Sequence, residues 1–118
     1  MSASDIKDAL QDKNEVDLTV TGRKSGQESS RPIWFVEEPD RLLLLPVSGA
    51  DSNWYRNIEK TPDVRLTANG AELFATATPI DDAAAVAEVV EKFRGKYGAD
   101  QVAQYYPNQN AAVEVPLG

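Results

Sequence analysis

Arg23 and Lys24 sit between two glycines in the run Gly22-Arg23-Lys24-Ser25-Gly26, and Arg31 follows a few residues later. Such a run can close into a compact turn whose backbone N–H groups converge on an anion, with two cations adding charge and Ser25 a hydroxyl donor. Arg31 shares strand parity with Ile33 and can reach back towards the same turn. As residues alone, Arg23 and Lys24 fit a solvated surface turn as well as an anion site. The rest of the composition narrows the chemistry further. The chain contains neither cysteine nor histidine. Disulfides, thiolate nucleophiles and Cys-ligated metals are therefore excluded, and so are the commonest metal ligand and the commonest base near neutral pH. No metal site is expected, and any chemistry must rest on a cofactor, on carboxylates, or on tyrosine and lysine.

The charge balance is acidic, 12 basic against 19 acidic residues for a net −7. A long polyanion is repelled on average, which argues against a nucleic-acid partner, whereas a local cluster of cations on an acidic chain suits a small phosphorylated ligand. The longest apolar run, Leu42 to Val47, is far too short for a membrane span. The opening Met-Ser-Ala-Ser-Asp-Ile-Lys-Asp lacks the pattern of a secretory signal, so a cytoplasmic location is expected. A chain of 118 residues fits one domain, 1–118, with room for one hydrophobic core and not two.

The elements that must position these residues can be read from periodicity. Residues 4–12 form a weakly amphipathic helix with Ser4 as N-cap and little to bury, so residues 1–14 add only marginal packing. Val16, Leu18 and Val20 alternate with polar residues as a half-buried strand. A second strand runs from Glu28 to Glu37, with Trp34 and Phe35 on opposite faces; Phe35 is read as core, and Trp34 as packing. Arg41 to Val47 scarcely alternates and is predicted to be a central strand covered on both faces. A short helix spans Asn53 to Lys60, capped by Asp51 or Ser52, and Trp54 on it packs towards the sheet. Val64 to Ala68 and Leu73 to Ile80 are strands joined by Asn69-Gly70, the strongest hairpin signal in the chain. Asp81 or Asp82 caps a long helix from Ala83 to about Tyr97, ended by Gly98, and capping accounts for that carboxylate pair. A looser segment covers Asp100 to Asn110, and Ala112 to Leu117 closes the chain as a strand. The result is a mainly β chain with helices (α+β): about six mostly antiparallel strands curling into a small barrel, with one long helix before the last strand.

In order and spacing, several runs together resemble the deazaflavin-dependent nitroreductase family. They are Leu18-Thr19-Val20-Thr21-Gly22-Arg23-Lys24-Ser25-Gly26, Arg31-Pro32-Ile33-Trp34-Phe35-Val36, Asp40-Arg41-Leu42, Ser48-Gly49, Trp54-Tyr55-Arg56-Asn57-Ile58 and Pro62-Asp63-Val64. The resemblance implies a split β-barrel related to the flavin-binding pyridoxine-phosphate oxidases, with reduced coenzyme F420 as hydride donor and FMN as the alternative cofactor. It carries phosphate contact onto Arg23, Lys24, Ser25 and Arg31, counts Gly26 with them as cofactor-binding, and places Pro46, Ser48, Trp54 and Asn57 around the cofactor, although Asn57 equally suits tying down the local loop. It also implies that tyrosines of the C-terminal segment face the substrate, which makes Tyr105 the candidate catalytic residue. The acceptor would be a small electron-poor molecule: a quinone, a nitro-aromatic or an unsaturated lactone. A non-catalytic carrier of a small ligand on the same fold is the rival reading. A homodimer and a free-standing monomer both suit a chain of this length.

Overall fold

The computed structural model describes residues 3–10 and 13–117. Helix α1 (Ala3–Ala9) leads into β1 (Glu15–Thr21), β2 (Glu28–Glu37) and β3 (Arg41–Leu44). A 3₁₀ turn (Gly49–Asp51) opens α2 (Asn53–Lys60), and β4 (Asp63–Ala68), β5 (Ala71–Thr76) and β6 (Thr78–Ile80) follow. Helices α3 (Ala83–Tyr97) and α4 (Ala99–Tyr105) precede β7 (Ala112–Pro116). The helix expected over 4–12 is found over Ala3–Ala9; its last two positions, and the capping side chain read at Ser4, lie outside the described residues.

The seven strands form one antiparallel sheet in the order β5-β4-β1-β2-β3-β7-β6. Its two outermost strands, β5 and β6, are consecutive in the chain and separated by Ala77 alone. One residue cannot span a flat sheet of seven strands, so the sheet must curl until its edges nearly meet. The expected six strands are corrected to seven here. The run read as one strand, Leu73 to Ile80, changes partner at Ala77, from β4 on one side to β7 on the other. At that point the Ala77 N–H donates to the Pro62 carbonyl at 2.8 Å instead of to a neighbouring strand. A change of partner leaves the alternation of side chains almost untouched, and hydropathy does not register it.

The curl gives the sheet an inner and an outer face. Ile33 and Phe35 of β2, Leu42 and Leu44 of β3, and Val113 and Val115 of β7 turn inward onto Leu18, Ile58 and Leu66. Leu43, Leu45 and Ala112 turn outward and are covered by Val86, Val89, Val90 and Phe93 of α3 and by Val102 of α4. All four leucines of Leu42–Leu45 are buried, as the non-alternating run predicts. The expectation of a single core is corrected for the same reason: a strand covered on both faces divides the apolar residues into two clusters. Each fully buried leucine contributes roughly 2 kcal/mol. Helix α1, expected to pack marginally, lies against β4 and β5 and, with Leu10 just after its end, places Ile6 and Leu10 in the inner cluster. Two anchors suffice because both enter a core that the strands have already assembled.

Local signals explain most boundaries. Asn69 and Gly70 both take positive φ (50° and 85°), the backbone of the two-residue turn that matches strand twist, and Ala68 pairs with Ala71 across it. Asp82 caps α3 by accepting the Ala85 N–H at 3.0 Å. The looser segment expected over Asp100 to Asn110 is helical as far as Tyr105, because Val102 is anchored in the outer cluster; a tertiary contact overrides a weak local pattern. No helix among the described residues is long and apolar enough to cross a membrane.

The segment between β3 and α2 is held from two sides. Within it, Gly49 N–H donates to the Pro46 carbonyl at 3.1 Å and Ser48 N–H to Ser52 Oγ at 2.9 Å. From across the fold, Asn110 Oδ1 accepts the Ala50 N–H at 2.9 Å. Gly49 has φ of 59°, and a Cβ there would lie 2.0 Å from Asn110 Oδ1. Gly49→Ala is therefore expected to lower unfolding free energy by about 1–3 kcal/mol, read as a reduced urea midpoint. An unchanged midpoint would show that the loop is free to relax.

Candidate active site

Strand β2 pairs with β1 from Glu28 to Trp34 and with β3 only from Phe35 to Glu37. On the side away from β1, its first seven residues therefore have no strand beside them. β3 parts from β2 after Leu44, and the chain turns off through the Gly49 loop into α2. The wedge left open is a cleft of about 290 Å³, at the small end of ligand sites, which run from roughly 300 to 1,000 Å³. Arg31, Pro32, Ile33 and Trp34 form one wall; Leu45, Val47, Ser48 and the start of α2 with Trp54 form the other. Tyr105 and Tyr106, at the end of α4, complete the lining. Pro32 lacks the N–H that an unpaired strand edge would otherwise leave without a partner.

The cleft is rich in free donors. Arg31 is exposed and makes no ion pair or hydrogen bond with the described residues. Neither Trp34 Nε1, Trp54 Nε1 nor the Tyr106 hydroxyl has a hydrogen-bond partner among them, yet none is a buried unsatisfied atom, so each keeps an accessible N–H or O–H. Trp54 and Tyr106 are otherwise buried (4% and 2% exposed), and both line the cleft. Burial pushes the Tyr106 phenol far above the usual range, so it stays protonated and acts as a donor. The carboxylate in the lining, Asp51, is already paired with Arg56 at 2.9 Å. The walls thus offer a cation, two indole N–H groups and phenols to a ligand rich in acceptor oxygens.

The glycine-flanked turn is built differently. Asn57 Oδ1 accepts both the Arg23 backbone N–H at 3.1 Å and Arg23 Nη1 at 2.8 Å, and Nη1 also reaches the Asn53 carbonyl at 3.3 Å. Lys60 Nζ donates to the Arg23 carbonyl at 2.8 Å. Ser25 Oγ accepts the Gln27 N–H at 3.1 Å. Arg23 and Asn57, both read as cofactor contacts, are brought together and spend these groups fastening the turn to α2. Lys24 remains exposed and without a partner among the described residues.

Of the residues singled out from sequence, Arg31, Ser48, Trp54 and Tyr105 converge on the cleft. Pro46 is buried beside it, between the lining residues Leu45 and Val47. Arg23, Lys24, Ser25, Gly26 and Asn57 lie outside the lining, with Arg23 one hydrogen bond from the lining residue Asn53. Sequence reasoning took Trp34 as packing, and of the C-terminal tyrosines expected to face the substrate it singled out Tyr105 and not Tyr106. The parity of Trp34, opposite to core Phe35, was the available signal; nothing local marked the burial of Tyr106.

A curled antiparallel sheet thus parts to expose a donor-lined cleft, on a chain without cysteine or histidine. The model of the F420H(2)-dependent quinone reductase family matches residues 2–117, and the chain belongs to that family. It is a deazaflavin-dependent reductase whose hydride donor is reduced coenzyme F420. Its fold is similar to the solved structure of an F420-H2 dependent reductase (FDR-A), at 21% identity over 86% of this chain and 93% of that one, with a TM-score of 0.67. It is also similar to HutZ, a haem storage protein of Vibrio cholerae (14% identity, 98% and 89% covered, TM-score 0.73). A Listeria innocua protein described as a pyridoxamine 5′-phosphate oxidase shares the fold at 13% identity, with 97% and 92% covered and a TM-score of 0.68.

Two outcomes follow from this geometry. Asn57→Ala strands the Arg23 N–H and should cost about 1–3 kcal/mol of stability in urea unfolding; no loss would mean that water replaces the amide. The second concerns Tyr97, whose phenol is pushed up to about 12 by burial, with the hydrogen bond to the Phe35 backbone opposing and the Glu15 carboxylate adding. An unfolded chain releases this proton near pH 10, whereas the native chain keeps it to about 12. The resulting stability is complete below pH 10 and is lost as pH rises through that window. Tyr97→Phe should flatten this decline in denaturation midpoints measured against pH, and an unaltered slope would contradict it.

Proposed function

We propose that this protein reduces a quinone with a hydride from reduced deazaflavin, in the cleft where β2 and β3 part. The observation that carries this reading is the donor set of the cleft, which has free N–H and O–H groups and an unpaired arginine. A planar ring bearing carbonyl oxygens, with an anionic tail, is complementary to that set. The residues present fit such a cofactor: Arg31 would meet anionic oxygens, the Ser48 segment and Trp54 N–H would hold ring oxygens, and Pro46 keeps the strand end rigid behind them. Lys24, free at the rim of the turn, adds a second cation. Arg23, Ser25, Gly26 and Asn57 act by fixing that turn against α2.

When bound, the reduced deazaflavin supplies a hydride, which requires an acceptor carbon placed against it and water kept away. The chain supplies the placement. Tyr105 and Tyr106 would donate hydrogen bonds to the acceptor oxygen on which negative charge develops, and Tyr105, the more exposed, can pass a proton between solvent and that oxygen. Hydride and proton together convert a quinone to its hydroquinone without a histidine. The sheet is read here as a split β-barrel in one domain, 1–118, a reading supported by two core clusters that share β3 between them.

Titration of the purified chain with deazaflavin, and with FMN in parallel, tests this by tryptophan quenching. Saturable deazaflavin binding, with turnover of a 1,4-naphthoquinone, is expected. Arg31→Ala should weaken deazaflavin binding about tenfold, the loss of one charge-assisted contact. Binding of FMN alone would move the protein to the flavin branch. Binding without turnover of any acceptor would make it a carrier, and binding of neither cofactor would overturn the reading.

A further inference from the structure

Trp34 meets the cleft edge-on because both faces of its ring are covered. Tyr97, the last residue of α3, stacks on it with centroids 4.3 Å apart and planes 14° from parallel. Tyr105, the last residue of α4, stacks at 4.4 Å and 10°. The two tyrosines make no ring contact with each other, so they occupy opposite faces of the indole. What remains for the cleft is the indole edge with its unpartnered N–H.

The other end of Tyr97 is engaged as fully. Its hydroxyl accepts the Phe35 N–H at 3.0 Å and donates to the Phe35 carbonyl, with the Asn14 carbonyl at 2.9 Å as a second acceptor. Phe35 is the residue at which β2 changes partner: β1 pairs as far as Trp34, and β3 begins at Phe35. The phenol therefore takes the place that a further β1 residue would have filled, joining the end of β1 to β2 across the split. Lys96 reinforces it, donating to the Phe35 carbonyl at 2.9 Å and lying 3.7 Å above the Phe35 ring. One side chain thus fixes both the backbone next to Trp34 and the plane of the indole.

We infer that Tyr97 is a positioning residue of the reaction site: it holds Trp34 so that the indole N–H points into the cleft on the side where the acceptor binds. This rests on the reading of the cleft given above. Tyr105 cannot hold the indole alone, since it is 43% exposed at the end of a seven-residue helix. Flat stacking on both faces restricts the indole to rotation within its own plane, and the pinned backbone removes most of that freedom. Tyr97 touches neither the cleft nor its contents, and acts only through Trp34.

Tyr97→Leu and Tyr97→Phe in the full chain test this, with three readouts: near-ultraviolet circular dichroism, binding of a 1,4-naphthoquinone by tryptophan quenching without cofactor, and the split between KM and kcat. The dichroism of the stacked indole is first assigned by its loss in Trp34→Phe. Tyr97→Leu should remove that band, weaken naphthoquinone binding about tenfold and raise its KM to match, while the deazaflavin Kd changes less than about twofold. Tyr97→Phe keeps the stacked ring but loses the hydroxyl that pins the backbone, and should restore the band and part of the quinone affinity. A merely structural role would lower both affinities alike, with phenylalanine no better than leucine, and that result overturns the proposal. So does a folded leucine variant with the wild-type band and quinone affinity. Should Tyr97→Leu fail to fold, Tyr97→Met, which fills the volume without a ring, takes its place with the same expectation. If the wild-type chain binds no naphthoquinone, the reading of the cleft falls, and with it the catalytic meaning of Tyr97, even where the dichroic band responds.

Discussion

Ala77 joins the two edge strands of a seven-stranded sheet, and the rest of the molecule answers to that closeness. A single residue spans a few ångströms, whereas neighbouring strands alone lie about 4.8 Å apart. The edges can meet only if the sheet curls, and curling gives it an inside that only apolar residues can fill. It also makes the strands splay where their twist is no longer compatible with continuous pairing. β2 absorbs that splay by pairing with β1 over its first seven residues and with β3 over its last three. The cleft is the space left by this exchange of partners. In this fold the cleft is a geometric consequence of closing the sheet, whatever residues line it.

What they supply is largely donors. An unpaired strand edge, the start of α2 and the end of α4 bring an arginine, two indoles and two phenols together, with the one lining carboxylate already paired with Arg56. Buried donors without partners are costly, and among the described residues no buried side-chain donor is left without one. The absence of histidine and cysteine fits this division of labour: the protein orients, solvates and excludes water, while the electrons come from the cofactor. The glycine-flanked turn serves the same end from behind, its arginine tying the turn to the helix that carries Trp54.

The aromatic residues connect the two cores to the site. Phe93 and Tyr106 pack edge to face in the outer cluster, Tyr106 meets Trp34 in the same way, and Trp34 is layered between Tyr97 and Tyr105. The helices α3 and α4 therefore do more than cover β3. Tyr105 at the end of α4 lines the cleft, and Tyr97 at the end of α3 stacks on the lining residue Trp34.

The sequence by itself determined the elements and much of the family resemblance. Period-two alternation marked β1, the leucine run marked a strand buried on both faces, Asn69-Gly70 marked the hairpin, and Asp82 and Gly98 bounded α3, because each of these is a preference of a few adjacent residues. Arg31, Ser48, Trp54 and Tyr105, which line the cleft, were singled out because their types and order together resemble a known family. Only the tertiary structure decided that Leu73 to Ile80 is two strands, that Arg23 and Asn57 bind each other, and that Trp34 is walled in by Tyr97 and Tyr105. Strand partners, and contacts between residues 23 and 57 or between 34 and 97, depend on where distant segments cross in space. No local preference records that crossing, since the same alternation satisfies any partner and a tyrosine reads the same on a surface or against an indole.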